Sequence, residues 1–157
     1  MSRAFTKEPD GADVFDDLPD RPIGDERNLV TPRGLSLIEA EIERLRGILA
    51  AAQAQGERGA IAEASRDLRY WAVRRASAEL VPEQSDVSEV RFGHSVRIRR
   101  EDGREQTFRI VGIDEADPAR GLISYLSPFA QELIGGRPGD EIEAGATNAT
   151  IVGIENT

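Results

Sequence analysis

Apolar residues recur every three to four positions between residues 31 and 80, which is the period of amphipathic helices. The first series follows Thr31-Pro32, a helix cap with proline at the first helical position, and comprises Leu35, Ile38, Ile42, Leu45, Leu49 and Ala52. The second comprises Ile61, Ala64, Leu68, Trp71 or Ala72, and Ala76. Residues 55–59 carry two glycines and predict a reversal. The pattern therefore predicts an antiparallel helical hairpin, a short coiled coil, over residues 31–82.

After a polar linker at residues 83–89, the apolar residues form short runs typical of strands. A first strand is expected from Val90, and Asp102-Gly103 predicts a hairpin turn into the second. Ser127 and Pro128 predict the start of one short helix, with a buried face formed by Phe129, Leu133 and Ile134. The remaining strands are expected at residues 107–113, 122–126, 141–144 and 149–154. These elements predict an α+β domain over residues 90–157, an antiparallel sheet with one helix.

Composition narrows the class of protein. The 157 residues carry a formal net charge of −9 and no cysteine, which disfavours general affinity for DNA and excludes disulfides and thiolate metal sites. No apolar run has membrane-spanning length and no signal segment is visible, so we expect a cytoplasmic protein without a membrane partner. Residues 1–30 are acidic and proline-containing, and we expect a disordered tail. The single histidine, His94, is expected to be a surface or hydrogen-bonded residue.

Residues 108–141 contain an ordered series of short motifs: FRIVG at 108–112, DEAD at 114–117, LIS at 122–124, SP at 127–128, LIG at 133–135 and GD at 139–140. This series resembles the C-terminal domain of the Gre family of bacterial transcription elongation factors. The resemblance implies an FKBP-like fold and, as partner, RNA polymerase at the rim of its secondary channel. It places the polymerase contact in the acidic turn and the short helix, at Asp114, Glu115, Asp117, Ser127, Pro128 and Gln131.

The predicted hairpin resembles the same family, because TPRGL at 31–35 matches the start of the family's helical hairpin. In the family, the hairpin enters the secondary channel, and paired carboxylates at its tip help to hold a catalytic Mg²⁺ with which the polymerase cleaves backtracked RNA. This chain departs from that pattern, since Asp67 matches the first acid but Tyr70 stands in place of the second. Both arms are also shorter. The predicted reversal leaves Glu57 at the tip, Glu63 about one turn behind it, and Asp67 farther down the second arm.

We therefore predict a non-enzymatic regulator that binds RNA polymerase at the secondary channel and lacks efficient stimulation of cleavage. No intrinsic cofactor is expected, and the candidate contacts to a Mg²⁺ shared with the polymerase active site are Glu57, Glu63 and Asp67. The alternative for these carboxylates, which the neighbouring arginines favour for Glu57 and Asp67, is a solvated or salt-bridged side chain. Two alternatives stay open: an active cleavage cofactor that uses the tip carboxylates, and a relative of the regulators of nucleoside diphosphate kinase, with that kinase as partner. Sequence-specific DNA binding is not expected.

Overall fold

The computed structural model describes residues 18–156. In chain order its helices and strands are β1 (Asn28–Val30), α1 (Pro32–Gln55), α2 (Arg58–Ala76), β2 (Ala78–Leu80), β3 (His94–Arg100), β4 (Glu105–Val111), β5 (Leu122–Ser124), α3 (Pro128–Leu133), β6 (Glu141–Ala144) and β7 (Thr147–Asn156). They divide into two compact units. Of the described residues, the helical unit contains 18–25 and 39–76, and the sheet unit contains 26–38 and 77–156.

The helical unit contains the predicted reversal. Helix α1 ends at Gln55, and the chain turns through Gly56, whose φ of +69° is the left-handed conformation that glycine adopts without strain. The predicted seam is confirmed at Leu45, Ala52 and Ala64, which are 3–4% exposed, but not at Ala76, which is exposed. Trp71 is half-buried whereas Ala72 is exposed, so the second apolar series continues through the tryptophan.

The two arms of the helical unit run antiparallel. Arg75, near the end of α2, donates from Nε to Oε1 of Glu39 on α1 at 2.8 Å. This contact joins the last turn of one helix to the early part of the other, as expected for an antiparallel hairpin.

The sheet unit is built on five strands in the order β5-β4-β3-β7-β6. Val96, Ile98, Ile110 and Ile151 are fully buried in its core. Helix α3 adds Leu133, which is also fully buried, so one helix and one sheet form a single core, and the predicted α+β class is confirmed. The Asp102-Gly103 turn joins β3 to β4 as predicted, with Gly103 at a φ of +84°.

The sheet is mixed rather than purely antiparallel, because β4 and β5 pair in parallel. A second parallel pair joins β1 to β2, with Asn28 opposite Ala78 and Val30 opposite Leu80. The prediction that residues 28–30 belong to a disordered tail is therefore wrong, as is the assignment of residues 78–80 to the second helix. Of the rest of the predicted tail, residues 18–27 are described and form neither helix nor strand, and residues 1–17 lie outside the described residues.

The first predicted strand begins later than expected. Val90 is fully buried, but its N–H donates to the carbonyl of Gly136 and its carbonyl accepts from Gly135, so its hydrogen bonds go to the loop after α3. Gly93, at a φ of +89°, then turns the chain into β3 at His94.

Candidate functional site

The acidic turn and the start of the short helix lie at the same edge of the sheet. They follow Val111 and Ser124, which are paired residues at the ends of the parallel neighbours β4 and β5. The N–H of Tyr125 donates to the carbonyl of Val111 at 3.0 Å and ties the two exits together. We call residues 114–118 and 126–131 the β4–β5 edge. All six predicted polymerase contacts lie on the two segments that leave these strands.

The helix at this edge is held by a local cap. Ser127 has an extended backbone, and its hydroxyl accepts from the N–H of Ala130 at 3.2 Å, while Pro128 occupies the first helical position. The side-chain amide of Gln131 donates to the carbonyl of Tyr125 at 2.6 Å. Ala130 is fully buried, whereas Pro128 and Gln131 are exposed. The edge therefore presents its exposed residues from a fixed backbone.

The acidic turn is closed by the backbone of Asp117, whose N–H donates to Leu122 and whose carbonyl accepts from the same residue, at 2.8 and 3.1 Å. The side chains of Asp114 and Asp117 are half-buried, and Pro118 is exposed. A partner that approaches the edge can therefore reach part of two carboxylates.

Glu115 does not belong to this surface. It is 5% exposed, and its Oε2 accepts from the hydroxyl of Thr31 at 2.5 Å. The prediction of a polymerase contact is therefore wrong for Glu115, because its carboxyl group faces the interior of the sheet unit.

Glu115 instead positions the start of α1. The Thr31 hydroxyl that it binds also accepts from the N–H of Gly34 at 2.9 Å and so caps the helix. A Cβ at Gly34 would lie 2.8 Å from Oε2 of Glu115, so the glycine makes room for the carboxyl group. Within the described residues, the second oxygen of Glu115 has no hydrogen-bond partner. The sequence signal for this contact is the glycine at the third helical position after a Thr-Pro cap.

Two apolar residues that the pattern placed in the interior are exposed. Leu126, expected at the end of a strand, is 40% exposed because β5 ends at Ser124 and the chain turns toward α3. Ile134 is 38% exposed because α3 ends at Leu133, after which the backbone becomes extended and leaves the helical period. Leu126 adds an apolar side chain to the β4–β5 edge that sequence reasoning missed.

The predicted tip residues are not gathered in one place. Glu57 is exposed at the reversal, with its N–H donating to Ala52 and its carbonyl accepting from Ile61, both at 3.0 Å. With a rise of 1.5 Å per helical residue, Glu63 lies about 9 Å and Asp67 about 15 Å from it along α2. Across residues 18–156, no group of three or more metal-ligating side chains could hold an ion. Of the three predicted acids, Glu57 alone therefore lies at the reversal.

His94 and the aromatic residues of the sheet unit have structural roles. His94 is 1% exposed, and its Nδ1 accepts from the N–H of Arg91 at 3.1 Å, which confirms the expected hydrogen-bonded histidine. The aromatic rings of the sheet unit pack in edge-to-face pairs, Phe92 with Tyr125 and Phe108 with Phe129, against its core.

Comparison with known proteins extends these observations. Residues 84–156 match the family model described as transcription elongation factor, GreA/GreB, C-term. The GreA of Rhodospirillum rubrum is 34% identical over 137 residues, covering 74% of this chain and 87% of that protein. The chain belongs to the GreA/GreB family. A second member, the GreA of Methylobacterium nodulans, is 33% identical over 153 residues, covering 80% of this chain and 94% of its own length.

Other GreA/GreB proteins match over a shorter part. The GreB of Neisseria meningitidis serogroup B is 46% identical over 82 residues, which is 51% of this chain and 50% of that protein, so the match spans half the length of that relative. Among solved structures, the GreA/GreB factor of Nitrosomonas europaea is 23% identical over 82% of this chain and 98% of its own, with a TM-score of 0.41. Within residues 18–156, no helix has both the length and the apolar character needed to cross a membrane.

Proposed function

We propose that this chain is a transcription elongation factor that binds RNA polymerase at the secondary channel and does not stimulate transcript cleavage efficiently. Membership of the GreA/GreB family, whose matched relatives are named transcription elongation factors, supports the general role. The observation that carries the finer proposal is the hairpin tip, where Glu57 is the one predicted acid at the reversal.

The chemistry of cleavage explains why one carboxylate is too few. In a two-metal mechanism, the ions stand about 3.5–4 Å apart and stabilise the attacking and leaving oxygens. Protein oxygens that bind a Mg²⁺ lie about 2.0–2.1 Å from the ion, so their side chains must converge on one point. Glu57 can supply one side chain, but Glu63 and Asp67 are about 9 and 15 Å away along α2. Asp67 is also engaged by Arg66 at 3.0 Å.

We assign the contact with RNA polymerase to the β4–β5 edge. Asp114 and Asp117 give the edge acidic character, and Leu126 with Pro128 gives it exposed apolar area. Complementary charge steers association and fixes orientation, so a basic surface of the polymerase is the expected counterpart. Because the Ser127 cap and the Gln131 contact hold this backbone, binding would require little ordering of the edge.

Backtracked elongation complexes with labelled RNA test the absence of cleavage stimulation. With Mg²⁺ present, we expect RNA shortening within about twofold of the intrinsic rate of the polymerase, while a cleavage-stimulating Gre factor serves as the positive control. Shortening far above the intrinsic rate that Glu57→Gln abolishes would establish the cleavage-cofactor alternative instead. The matched control is Glu43→Gln, since Glu43 is another exposed carboxylate of the hairpin, paired with Arg46.

A further inference from the structure

Residues 18–21 lie against α2 within the helical unit. Arg69 joins them to the helix through two contacts, since its Nη2 donates to the carbonyl of Leu18 at 3.3 Å and its Nε donates to Oδ1 of Asp20 at 2.6 Å. The segment before the hairpin is therefore held by an arginine of the hairpin itself.

The next residue, Arg21, enters a site of different chemistry. Its guanidinium carbon lies 3.8 Å from the centroid of the Tyr70 ring and 5.9 Å from that of Trp71. The two rings meet edge to face, with centroids 5.2 Å apart and planes at 86°. The Nη1 of Arg21 is 3.8 Å from Oδ1 of Asp67. An aromatic face and a carboxylate thus converge on one guanidinium.

This combination suits a guanidinium better than other cations. The planar guanidinium stacks on aromatic faces while its N–H groups point toward a carboxylate, whereas an ammonium is a strongly hydrated point charge. The side chain of Arg21 is 38% exposed and that of Asp67 is 27% exposed, so water is partly removed from the pair. Asp67 also accepts from Nε of Arg66 at 3.0 Å, which holds the carboxylate in place beside Arg21.

We propose that Asp67, Tyr70 and Trp71 form a binding site for the arginine side chain of a protein segment, and that Arg21 occupies this site in cis. Arg69 adds to the specificity of this site for its ligand, because it binds Asp20, which directly precedes Arg21. The ligand class is therefore a segment outside helices and strands that carries an Asp-Arg pair. A short tether supplies an effective concentration of about millimolar, so a competing segment must add contacts of its own to displace Arg21. The proposal is independent of the role in transcription.

The first test uses Trp71, which is the only tryptophan of the chain. In the full chain, Arg21→Gln should raise the acrylamide quenching constant of the tryptophan about twofold, and Arg21→Lys should give an intermediate value. Arg27→Gln is the matched control, because Arg27 belongs to the sheet unit and pairs with Glu79. It should leave the quenching constant unchanged. Far-UV circular dichroism establishes that each variant keeps its helical content.

The second test asks whether the site binds in trans. A peptide of residues 16–26, which contains Arg21 as its only arginine, is added at millimolar concentration to the Arg21→Gln chain. Quenching should return at least halfway to the wild-type value, and it should not do so in the Arg21→Gln/Asp67→Asn chain. The proposal is overturned if Arg21→Gln leaves quenching unchanged, or if the peptide and its own Arg21→Gln version protect Trp71 equally.

Discussion

Replacing Thr31 by alanine tests the buried contact that positions the start of α1. The Thr31 hydroxyl accepts from the N–H of Gly34 and donates to Glu115. Thr31→Ala removes both hydrogen bonds at once and leaves the carboxyl group of Glu115, which is 5% exposed, without its partner.

The expected loss of stability in Thr31→Ala has two contributions. Loss of a helix N-cap costs about 1 kcal/mol, and leaving a buried polar group unsatisfied costs about 1–3 kcal/mol. Together, Thr31→Ala should lower the free energy of unfolding by about 2–4 kcal/mol, a large part of the 5–15 kcal/mol typical of a folded protein. Thr31→Ser retains the hydroxyl and should lose less than about 1 kcal/mol, since it removes one methyl group.

Urea unfolding followed by far-UV circular dichroism measures these differences. Glu115→Gln is the second comparison, because its amide oxygen can still accept from the Thr31 hydroxyl, and it should cost less than half as much as Thr31→Ala. The reasoning is refuted if Thr31→Ala and Thr31→Ser unfold at the same urea concentration, or if Glu115→Gln is as destabilising as Thr31→Ala.

Two further predictions concern glycines and a turn carboxylate. A Cβ at Gly112 would lie 2.4 Å from the carbonyl oxygen of Leu29, so Gly112→Ala should destabilise the protein by about 1–3 kcal/mol. Gly47 has open space around it, so Gly47→Ala should stabilise the protein by about 0.5–1 kcal/mol. Equal urea midpoints for the two variants would contradict this. Backbone and side-chain hydrogen bonds from Arg104 hold the pKa of Asp102 below its ordinary value, so its stabilisation is present at neutral pH and is lost as the pH falls through the lowered pKa. Arg104→Gln removes the side-chain hydrogen bond and keeps the backbone one, so carboxyl NMR titration should show that the pKa of Asp102 moves part of the way upward. An unmoved pKa would exclude the side-chain contribution.

Local signals were sufficient for much of the fold. The hairpin follows from apolar periodicity and from Gly56 at the reversal, and α3 follows from the Ser127-Pro128 cap. Each of these signals acts between residues a few positions apart. For the same reason, the single acid at the hairpin tip could be recognised from the sequence, because it depends on where the chain reverses.

Contacts between distant residues could not be predicted in this way. Strand β1 has three residues, each paired with the residue of β2 that lies 50 positions later, so no run of apolar residues marks this strand in the sequence. The burial of Glu115 depends on Thr31, 84 residues away. Charged residues are rarely buried unless they are paired, so an acid within an acidic turn is expected at the surface. Ile134 was misplaced because the helical period was extended past the end of α3.

Binding to bacterial RNA polymerase core, measured by interferometry in competition with a cleavage-stimulating Gre factor, tests the central claim most directly. Wild type is compared with Asp117→Arg/Leu126→Asp on the β4–β5 edge and with Glu143→Arg on β6, at the opposite edge of the sheet. We predict competed binding that weakens at least tenfold in the double variant and changes less than twofold in Glu143→Arg. Absence of binding at micromolar concentration would contradict the account and favour the nucleoside diphosphate kinase alternative, and equal weakening by both variants would refute the assignment of the edge.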